Sequence, residues 1–252
     1  MNDRSRQKLI HNSLKFELKR QANSLTIIIP AFNEGENIEV TLIQLISTLK
    51  KLSIPFEIIV IDDGSLDGTG IIAEEYGANL VIRNYVHKGK GNSILSGLVN
   101  ASGKIIILMD ADGSYNPEDI PKLISPILCG DTDLVIGYSY PSKTSLLYRF
   151  GRMLLSTVYK ILLGLDVVEI FSGFKAIKKD LLITLVENMP SSGFEFDLNL
   201  LINANKKGYR ITEIPLEMRK RYSSGHSQLK NRLFREGLRK IYQIYLKGLL
   251  KS

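Results

Sequence analysis

Between Leu25 and Gly137, two patterns of hydrophobic and polar residues alternate along the chain. Short runs that are almost wholly aliphatic predict buried strands: LTIIIP, FEIIVI, NLVIRN, KIIILM and DLVIG. The intervening segments carry apolar residues at helical spacing, as in ENIEVTLIQLISTLKKL and KGNSILSGLVNAS. Aliphatic strands separated by helices predict a single α/β domain, in which a mostly parallel sheet is covered by helices on both faces.

Two of the predicted helices have recognisable ends. In NPEDIPKLISPILCG, Asn116 is placed to cap the helix, Pro117 lies in its first turn and two acidic residues follow. The short segment TGIIAEEYG ends at Gly77, a residue type that favours the end of a helix. These signals indicate where one helix begins and another ends.

Acidic residues follow three of the predicted strands directly. The segments after the strands read AFNEGEN, DDGSLDGT and DADGS. Ligands of parallel α/β sheets bind beyond the carboxyl ends of the strands, so these carboxylates are expected at one edge: Glu34, Asp62, Asp63, Asp110 and Asp112. An Asp-Gly turn explains any one of them, but three acidic strand ends favour a shared ligand site.

Carboxylates that lie close together repel one another, and each then resists ionisation. A divalent cation removes this conflict. Carboxylate oxygens suit Mg²⁺ or Mn²⁺, and Mg²⁺ commonly shares its coordination shell with substrate phosphates. The pattern therefore predicts a site for Mg²⁺ or Mn²⁺ at the edge of the sheet.

Charge is distributed unevenly along the 252 residues, of which 44% are hydrophobic and 23% charged, as in an ordinary globular protein. Residues 1–24 hold six basic and two acidic residues, a net of +4, and residues 219–252 hold ten and one, a net of +9. Because the whole chain carries +7, residues 25–218 carry −6. An acidic body argues against a nucleic-acid-binding protein, and basic ends favour an anionic surface or ligand.

The cellular location is predicted from what the sequence lacks. Cys129 is the single cysteine, so no disulfide framework is expected. No apolar stretch approaches the ~20 residues needed to cross a bilayer, and the N-terminus lacks the apolar centre of a signal peptide. The sequence predicts a protein of the cytoplasm.

Both ends of the chain are expected to lie outside the main domain. We divide the sequence into a basic N-terminal helical extension (1–24), the α/β domain (25–229) and a C-terminal helix (230–252). In that helix, LKNRLFREGLRKIYQIYLKGLL places apolar residues on one broad arc and basic residues on the other. The pattern is typical of a helix in an anionic membrane interface, or of a helix packed on the domain with a solvated charged face.

Four segments in succession resemble the motifs of family 2 glycosyltransferases with a GT-A fold, which is Rossmann-like. They read IIIPAFNEGENI, IIVIDDGSLDGT, GKGNSILSGL and DADGSYNPEDI. The later segments FSGFKAI and GFEFDLNLLINANKKGYRITEIP are similar to the dolichyl-phosphate mannose synthase-like branch. The resemblance implies an inverting enzyme on the cytoplasmic face of a membrane. Such an enzyme moves a hexose or N-acetylhexosamine from a GDP- or UDP-sugar to a polyprenyl or dolichyl phosphate.

The same resemblance implies roles for individual residues. Asp112, with Asp110 beside it, would hold the metal on the diphosphate, and Ser114 would be a weaker third ligand. Arg149 and Arg152 would receive the acceptor phosphate. The nucleotide-sugar pocket would be formed by Pro30, Phe32, Glu34, Val60, Asp62, Asp63, Asp110, Ala111, Asp112 and Arg221. The usual arginine of the acceptor loop is absent from Gly137-Tyr138-Ser139.

Catalytic roles are expected for Asp112 and for two carboxylates in GFEFDLN, Glu195 and Asp197. The latter two are candidates for a general base, or they begin a helix whose dipole they complement. A phosphate acceptor is already ionised and needs positioning more than a base, whereas a hydroxyl acceptor would make one of these carboxylates indispensable. In HKGKGN, Lys88 and Lys90 precede a helix that could assist a phosphate, or they belong to a solvated loop.

Three alternative functions remain open at this point. The first is a family 2 enzyme that extends a lipid-linked or soluble glycan at a hydroxyl. The second is a nucleotidyltransferase, although the loop PAFNEGEN lacks the glycine-rich, basic character expected of that class. The third is a sugar-nucleotide-binding module without turnover, against which the intact pair of Asp110 and Asp112 argues.

Overall fold

The computed structural model describes residues 24–139, 164–187 and 195–217, together with positions 157, 160, 161 and 189. These parts contain seven strands: β1 (Leu25–Ala31), β2 (Phe56–Asp62), β3 (Leu80–Arg83), β4 (Ile105–Leu108), β5 (Leu134–Ser139), β6 (Lys175–Lys178) and β7 (Ile211–Leu216). The helices in these parts are α1 (Gly35–Lys51), α2 (Thr69–Glu75), α3 (Lys90–Asn100), α4 (Ile120–Leu128), α5 (Lys179–Val186) and α6 (Glu195–Lys206). A 3₁₀ turn, Pro117–Asp119, precedes α4.

The strands form one sheet in the order β3-β2-β1-β4-β6-β5-β7. Strands β1 to β4 are parallel to one another, and β7 is parallel to β5. Strand β6 lies between β4 and β5 and runs antiparallel to both. The predicted α/β fold with a mostly parallel sheet is thus confirmed. The reversed strand was not predicted, because its four residues, KAIK, include two lysines and form no aliphatic run.

Helices cover both faces of the sheet, as the aliphatic strands predicted. Alternate side chains of β1 point to opposite faces, so Ile27 and Ile29 belong to one core cluster and Ile28 to the other. The first cluster includes buried residues of α1, α2 and α4, and the second includes those of α3, α5 and α6. Each fully buried aliphatic side chain stabilises the fold by about 1.5–3 kcal/mol relative to exposure. The sheet is thus packed on both faces by a separate hydrophobic core.

Both predicted helix ends are confirmed. The side chain of Asn116 accepts a hydrogen bond from the backbone N–H of Glu118 at 3.1 Å, and Gly77 adopts a positive φ of 91° just beyond α2. In the parts of the chain that the structure describes, no helix is long and apolar enough to span a membrane. The proposed N-terminal extension lies outside the described residues except for Ser24, and the proposed C-terminal helix lies wholly outside them.

Candidate active site

The carboxyl ends of β1, β2 and β4 lie at one edge of the sheet. Ala31 pairs with Asp62, and Ile28 pairs with Leu108, so the segments that follow these strands emerge side by side. The acidic segments AFNEGEN, DDGSLDGT and DADGS therefore share this edge, as the sequence predicted. Their carboxylates nevertheless have very different surroundings.

Asp112 is held in a tight turn beyond β4. The backbone N–H of Ser114 donates to Asp112 Oδ1 at 3.0 Å, and both residues are largely buried. The hydroxyl of Thr41, in α1, donates to the carbonyl oxygen of Ala111 at 3.2 Å. Ala111 is thus bound to α1, and the Asp112 carboxylate is bound to the backbone of the turn. Together these contacts fix the direction of the Asp112 carboxylate.

Asp110 lies beside a lysine and a glycine. The ammonium group of Lys90, the first residue of α3, is 2.8 Å from Asp110 Oδ1, and the Asp110 side chain is 33% exposed. A Cβ atom added to Gly173 would lie 1.8 Å from Asp110 Oδ2. Only glycine at position 173 therefore leaves room for this carboxylate. Asp110 is confined on one side by Gly173 and neutralised on the other by Lys90.

A second carboxylate, Asp197 in α6, lies behind Asp110 and contacts two lysines. Its Oδ1 accepts a hydrogen bond from Lys175 Nζ at 2.7 Å, and its Oδ2 is 3.7 Å from Lys90 Nζ. The side chains of Lys175 and Asp197 are 0% and 3% exposed. The Lys175 ammonium also donates to the carbonyl oxygen of Ser172. These residues form a buried charge cluster (Lys90, Asp110, Lys175, Asp197) that joins α3, β6 and α6 to the end of β4.

The pKa values in the buried charge cluster follow from burial and from the opposing charges. Burial opposes the ionised form of Asp197, but Lys175 and Lys90 outweigh it and lower the pKa of Asp197. Burial acts against the charge of Lys90 too, yet Asp110 and then Asp197 raise the pKa of Lys90. For Lys175, burial dominates and lowers the pKa, despite the attraction of Asp197. Asp197 is therefore held as a carboxylate.

This environment argues against Asp197 as a general base. A base must take up a proton near neutral pH and must reach its substrate, whereas Asp197 is buried and its pKa is lowered. Its contacts favour a role in positioning Lys90 and Asp110. Glu195, the other candidate base, is the first residue of α6, and its side chain lies outside the described residues.

Tyr115 completes the support of Asp110. Its hydroxyl accepts a hydrogen bond from the Gly173 N–H at 3.2 Å and lies 3.3 Å from Ser172 Oγ. Burial, and then the negative charge of Asp110, raise the pKa of Tyr115 to about 12, so the phenol stays protonated. The hydroxyl fixes the position of the Gly173 backbone, which in turn confines Asp110.

Asp62 and Asp63 are neighbours in sequence, but both are bound to loops of the protein. Asp62 accepts the backbone N–H of Ser65 at 2.9 Å and that of Gly70 at 3.1 Å. Asp63 is buried and accepts hydrogen bonds from three groups: Asn84 Nδ2 (2.8 Å), the N–H of Lys88 (3.0 Å) and the N–H of Gly89 (2.7 Å). His87 Nδ1 lies 2.9 Å from Asp63 Oδ2.

These contacts correct the expectation that Asp63 lines the nucleotide-sugar pocket. Asp63 fixes the segment 84–89 before α3, and it does not face a ligand pocket. The backbone N–H groups of Lys88 and Gly89 donate to Asp63, so this carboxylate holds the segment directly before α3. For Val60 the resemblance implied a backbone contribution to the pocket, and the structure shows where its side chain lies. It is fully buried within β2, between Ile29 and Val81, rather than at the open edge.

The remaining pocket residues lie around Phe32. The Phe32 ring is 44% exposed and packs against the His87 imidazole, with 4.3 Å between the ring centroids. Pro30 lies at the end of β1, directly before this loop. Glu34 precedes α1, where its carboxylate accepts a hydrogen bond from Asn37 Nδ2 at 2.6 Å. Phe32 thus presents an open aromatic face at the sheet edge, suited to stacking on a nucleobase.

The residues at this edge fit a divalent cation that a substrate helps to bind. Within the described residues, no group of three or more Asp, Glu, His or Cys side chains is arranged to hold a metal by itself. Asp110 and Asp112 supply two carboxylates, and Mg²⁺ in phosphate-dependent sites typically takes one or two carboxylates and completes its shell with phosphates and water. The arrangement therefore fits Mg²⁺ or Mn²⁺ bound together with a diphosphate.

Three predicted site residues, Arg149, Arg152 and Arg221, lie outside the described residues. Conversely, the structure reveals contributions that sequence reasoning missed from Tyr115, Gly173 and Lys175. A lysine within the otherwise apolar segment FSGFKAI was the available signal, because a buried lysine requires a carboxylate partner.

An α/β sheet of this strand order, with a DAD segment at the carboxyl end of its middle strand, defines the GT-A class of glycosyltransferases. The chain belongs to glycosyl transferase family 2, whose family model matches residues 26–186. Among characterised relatives, it is similar to the polyprenol monophosphomannose synthase of Mycolicibacterium smegmatis. The two are 29% identical over 245 residues, which cover 92% of this chain and 90% of the relative. An uncharacterized protein of Methanocaldococcus jannaschii is 30% identical over 203 residues, covering 77% of this chain and 81% of that protein.

Solved structures agree with this assignment. The glucosyl-3-phosphoglycerate synthase of Mycobacterium tuberculosis, crystallised with Mg²⁺ and uridine diphosphate, superposes with a TM-score of 0.67 at 26% identity, covering 85% of this chain and 77% of that one. A second structure of that enzyme, with Mn²⁺, uridine diphosphate and glucosyl-3-phosphoglycerate, gives a TM-score of 0.65 at 26% identity, covering 82% and 75%. Neighbours of this fold thus bind a divalent cation, a nucleotide and a phosphate-bearing product.

Proposed function

We propose that this protein transfers a hexose or N-acetylhexosamine from a GDP- or UDP-sugar to a polyprenyl or dolichyl phosphate, with inversion at the anomeric carbon. Mg²⁺ or Mn²⁺ is the proposed cofactor. The proposal is supported by similarity to a polyprenol monophosphomannose synthase along nearly the whole of both chains. The proposed donor agrees with the nucleotide bound by the structural neighbours.

The observation that carries the choice of acceptor is the burial of Asp197 between Lys175 and Lys90. Transfer to a hydroxyl needs a group that removes a proton, whereas a phosphate acceptor is ionised already. A carboxylate that two ammonium groups hold in its charged form is poorly suited to proton removal. The surroundings of Asp197 therefore favour an acceptor that needs positioning only.

Each residue at the sheet edge has a part in this proposal. Phe32 stacks on the base, and Asp62 lies in the ribose and base pocket. Asp110 and Asp112 hold the cation, and Ser114 supports Asp112 through its backbone N–H. When bound, the cation stabilises the negative charge that develops on the departing nucleotide. Arg149, Arg152 and Arg221 are proposed to contact phosphate groups of the acceptor and donor.

A soluble phosphorylated acceptor is the second candidate. The similar M. tuberculosis structures are of a glucosyl-3-phosphoglycerate synthase, and one of them contains phosphoglyceric acid with Mn²⁺ and uridine diphosphate. In that case the reaction would join the sugar to a hydroxyl, and a base would be required. The charge of such an acceptor would still suit the basic residues proposed for the site.

A panel of donors and acceptors distinguishes the two candidates. Purified protein with Mn²⁺ would be given UDP- and GDP-sugars together with dolichyl phosphate, unphosphorylated dolichol or phosphoglyceric acid, and products would be identified by mass spectrometry. We expect a glycosylated dolichyl phosphate and no product from dolichol. If phosphoglyceric acid is the only one of the three acceptors to be glycosylated, the second candidate is favoured. Consumption of no sugar nucleotide under any condition would contradict both.

We further propose that the protein attaches to the cytoplasmic face of a membrane through its basic C-terminal segment. A lipid-linked acceptor lies in that membrane, and basic residues opposite an apolar face suit an anionic surface. Changing both Arg235 and Arg239 to Glu is expected to lower the affinity for anionic vesicles, measured by cosedimentation, at least about thirtyfold, because ~1 kcal/mol is lost per basic residue removed. The matched control changes Arg4 and Arg6 to Glu, the same change of charge at the other end of the chain. Equal binding by the Arg235/Arg239 variant and the unchanged protein would contradict the role of the tail.

A further inference from the structure

The ammonium group of Lys90 lies between two carboxylates that belong to different parts of the fold. It is 2.8 Å from Asp110 Oδ1 and 3.7 Å from Asp197 Oδ2, and its side chain is 17% exposed. The shorter distance joins it to a carboxylate proposed to hold the cation. The longer one joins it to a buried carboxylate that Lys175 already neutralises in part. Lys90 therefore has one carboxylate partner that is a proposed metal ligand and a second that is not.

We propose that Lys90 is a positioning residue that occupies Asp110 while the cation is absent and shifts to Asp197 when the cation and diphosphate bind. This inference rests on the proposed function, because it requires Asp110 to be a metal ligand. The Lys90 ammonium acts as a placeholder cation. It holds the Asp110 carboxylate charged and in place before the substrate arrives, and it gives way to the divalent ion.

Electrostatic repulsion favours movement of one of the two cations. A divalent ion on Asp110 would repel an ammonium group bound to the same carboxylate, and in a partly buried site this repulsion is weakly screened. Asp197 offers the displaced ammonium a carboxylate less than 4 Å away. Because Asp197 Oδ1 is bound to Lys175, its Oδ2 is the oxygen that faces Lys90. The charge of Lys90 thus stays compensated after the exchange.

The surrounding contacts leave the Lys90 side chain as the part that moves. Asp110 cannot follow the ammonium freely, because Gly173 lies against its other oxygen with no space to spare. The backbone before Lys90 is fixed, since the N–H groups of Lys88 and Gly89 both donate to the buried Asp63. The exchange therefore needs only rotation about the flexible bonds of one lysine side chain.

The exchange has a measurable consequence for metal binding without nucleotide. In the unchanged protein, Mn²⁺ must displace the ammonium from Asp110 before it can bind. Lys90→Met removes this competitor, and we expect it to raise the affinity for Mn²⁺ about tenfold, the scale of effect that one neighbouring charge has on a carboxylate. The measurement is the binding of Mn²⁺ alone, followed by electron paramagnetic resonance or calorimetry. A residue with a merely structural role would lower the affinity or leave it unchanged.

Three further variants make the test specific. Lys90→Gln removes the charge but keeps a hydrogen-bond donor, and it is expected to give the same gain, which guards against misfolding of Lys90→Met. Lys90→Arg keeps the charge and should bind Mn²⁺ as the unchanged protein does. Lys88→Met is the matched control, because its exposed ammonium contacts Asn84 Oδ1 at 3.2 Å and no carboxylate of the cluster. No change in affinity is expected for it.

The outcomes separate this inference from the proposed function. The exchange is overturned, and the metal site stands, if Asp112→Asn weakens Mn²⁺ binding but neither Lys90→Met nor Lys90→Gln binds Mn²⁺ more tightly than the unchanged protein. If Asp112→Asn binds Mn²⁺ as well as the unchanged protein does, the metal site itself is overturned, and the exchange falls with it. Tighter binding in both uncharged variants, with Lys90→Arg and Lys88→Met unchanged, supports the exchange.

Discussion

Replacing Asp112 with Asn is expected to lower sugar transfer at least about a thousandfold while the protein remains folded. The amide keeps an oxygen that can accept the Ser114 N–H, so the turn beyond β4 should persist. It loses the negative charge that a divalent cation requires. A cation contributes several kcal/mol of transition-state stabilisation, and the loss of about 4 kcal/mol corresponds to a thousandfold in rate. The measurement is kcat/KM with the active donor, alongside thermal unfolding.

The matched control for this variant is Asp180→Asn. Asp180 is exposed at the start of α5, directly after β6, whose last residue Lys178 pairs with Ile105 at the start of β4. It therefore lies at the opposite edge of the sheet, and its replacement should leave transfer within about twofold. An Asp112→Asn protein with more than a tenth of the original activity would contradict the assignment of Asp112 as a metal ligand.

Replacing Asp197 with Asn is expected to lower the free energy of unfolding by about 3–5 kcal/mol, because breaking a buried ion pair leaves an uncompensated charge. The ammonium of Lys175 is wholly buried and would lose its carboxylate partner, and Lys90 would lose its second one. The measurement is urea denaturation of both proteins. Their free energies of unfolding are compared only if the two depend equally on urea concentration. Loss of activity should accompany the loss of stability, since the same cluster positions Asp110.

Asp166→Asn provides the control, because its ion pair with Lys160 is exposed on both sides at a distance of 2.7 Å. Exposed pairs contribute little, so its effect should stay below about 1 kcal/mol. An Asp197→Asn protein of unchanged stability that had lost activity would argue for a base and against the positioning role. It would also favour a hydroxyl acceptor over a phosphate.

The location of the site could be predicted from the sequence, because the ends of aliphatic strands are local features. Aliphatic runs that stop at acidic residues indicate where each strand ends, and parallel pairing brings those ends together. Asp112 and Asp110 follow β4 directly, so their position at the edge needed only the correct strand. Capping signals placed the helical segment that begins after Asn116, whereas a helix start at Glu195 was one of two interpretations that the sequence left open.

The contacts of individual carboxylates could not be predicted in this way. Asp62 and Asp63 are adjacent, yet Asp63 is buried and accepts three hydrogen bonds from residues 84–89, with the His87 imidazole also in contact. Successive residues at a strand end point in different directions, and the sequence alone does not say which one meets the later loop. The general-base role for Asp197 was considered without its contact to Lys175. That lysine lies in the antiparallel strand β6, which the sequence did not predict.

The buried charge cluster shows the same limit over a longer distance. Lys90 begins α3, Lys175 begins β6 and Asp197 lies in the first turn of α6, so these residues meet only when three separated segments pack together. In the sequence, Lys90 resembles any lysine of a solvated loop. Its importance follows from its distances to Asp110 and Asp197, which depend on the complete fold.

The central claim is that Asp110 and Asp112 together hold a divalent cation on a nucleoside diphosphate. A crystal grown with Mn²⁺ and uridine or guanosine diphosphate tests it most directly, because manganese is located by its anomalous scattering. We predict a manganese peak within bonding distance of both carboxylates and of the diphosphate, with Lys90 Nζ closer to Asp197 than to Asp110. Nucleotide and manganese bound elsewhere, with both carboxylates free of metal, would contradict the account.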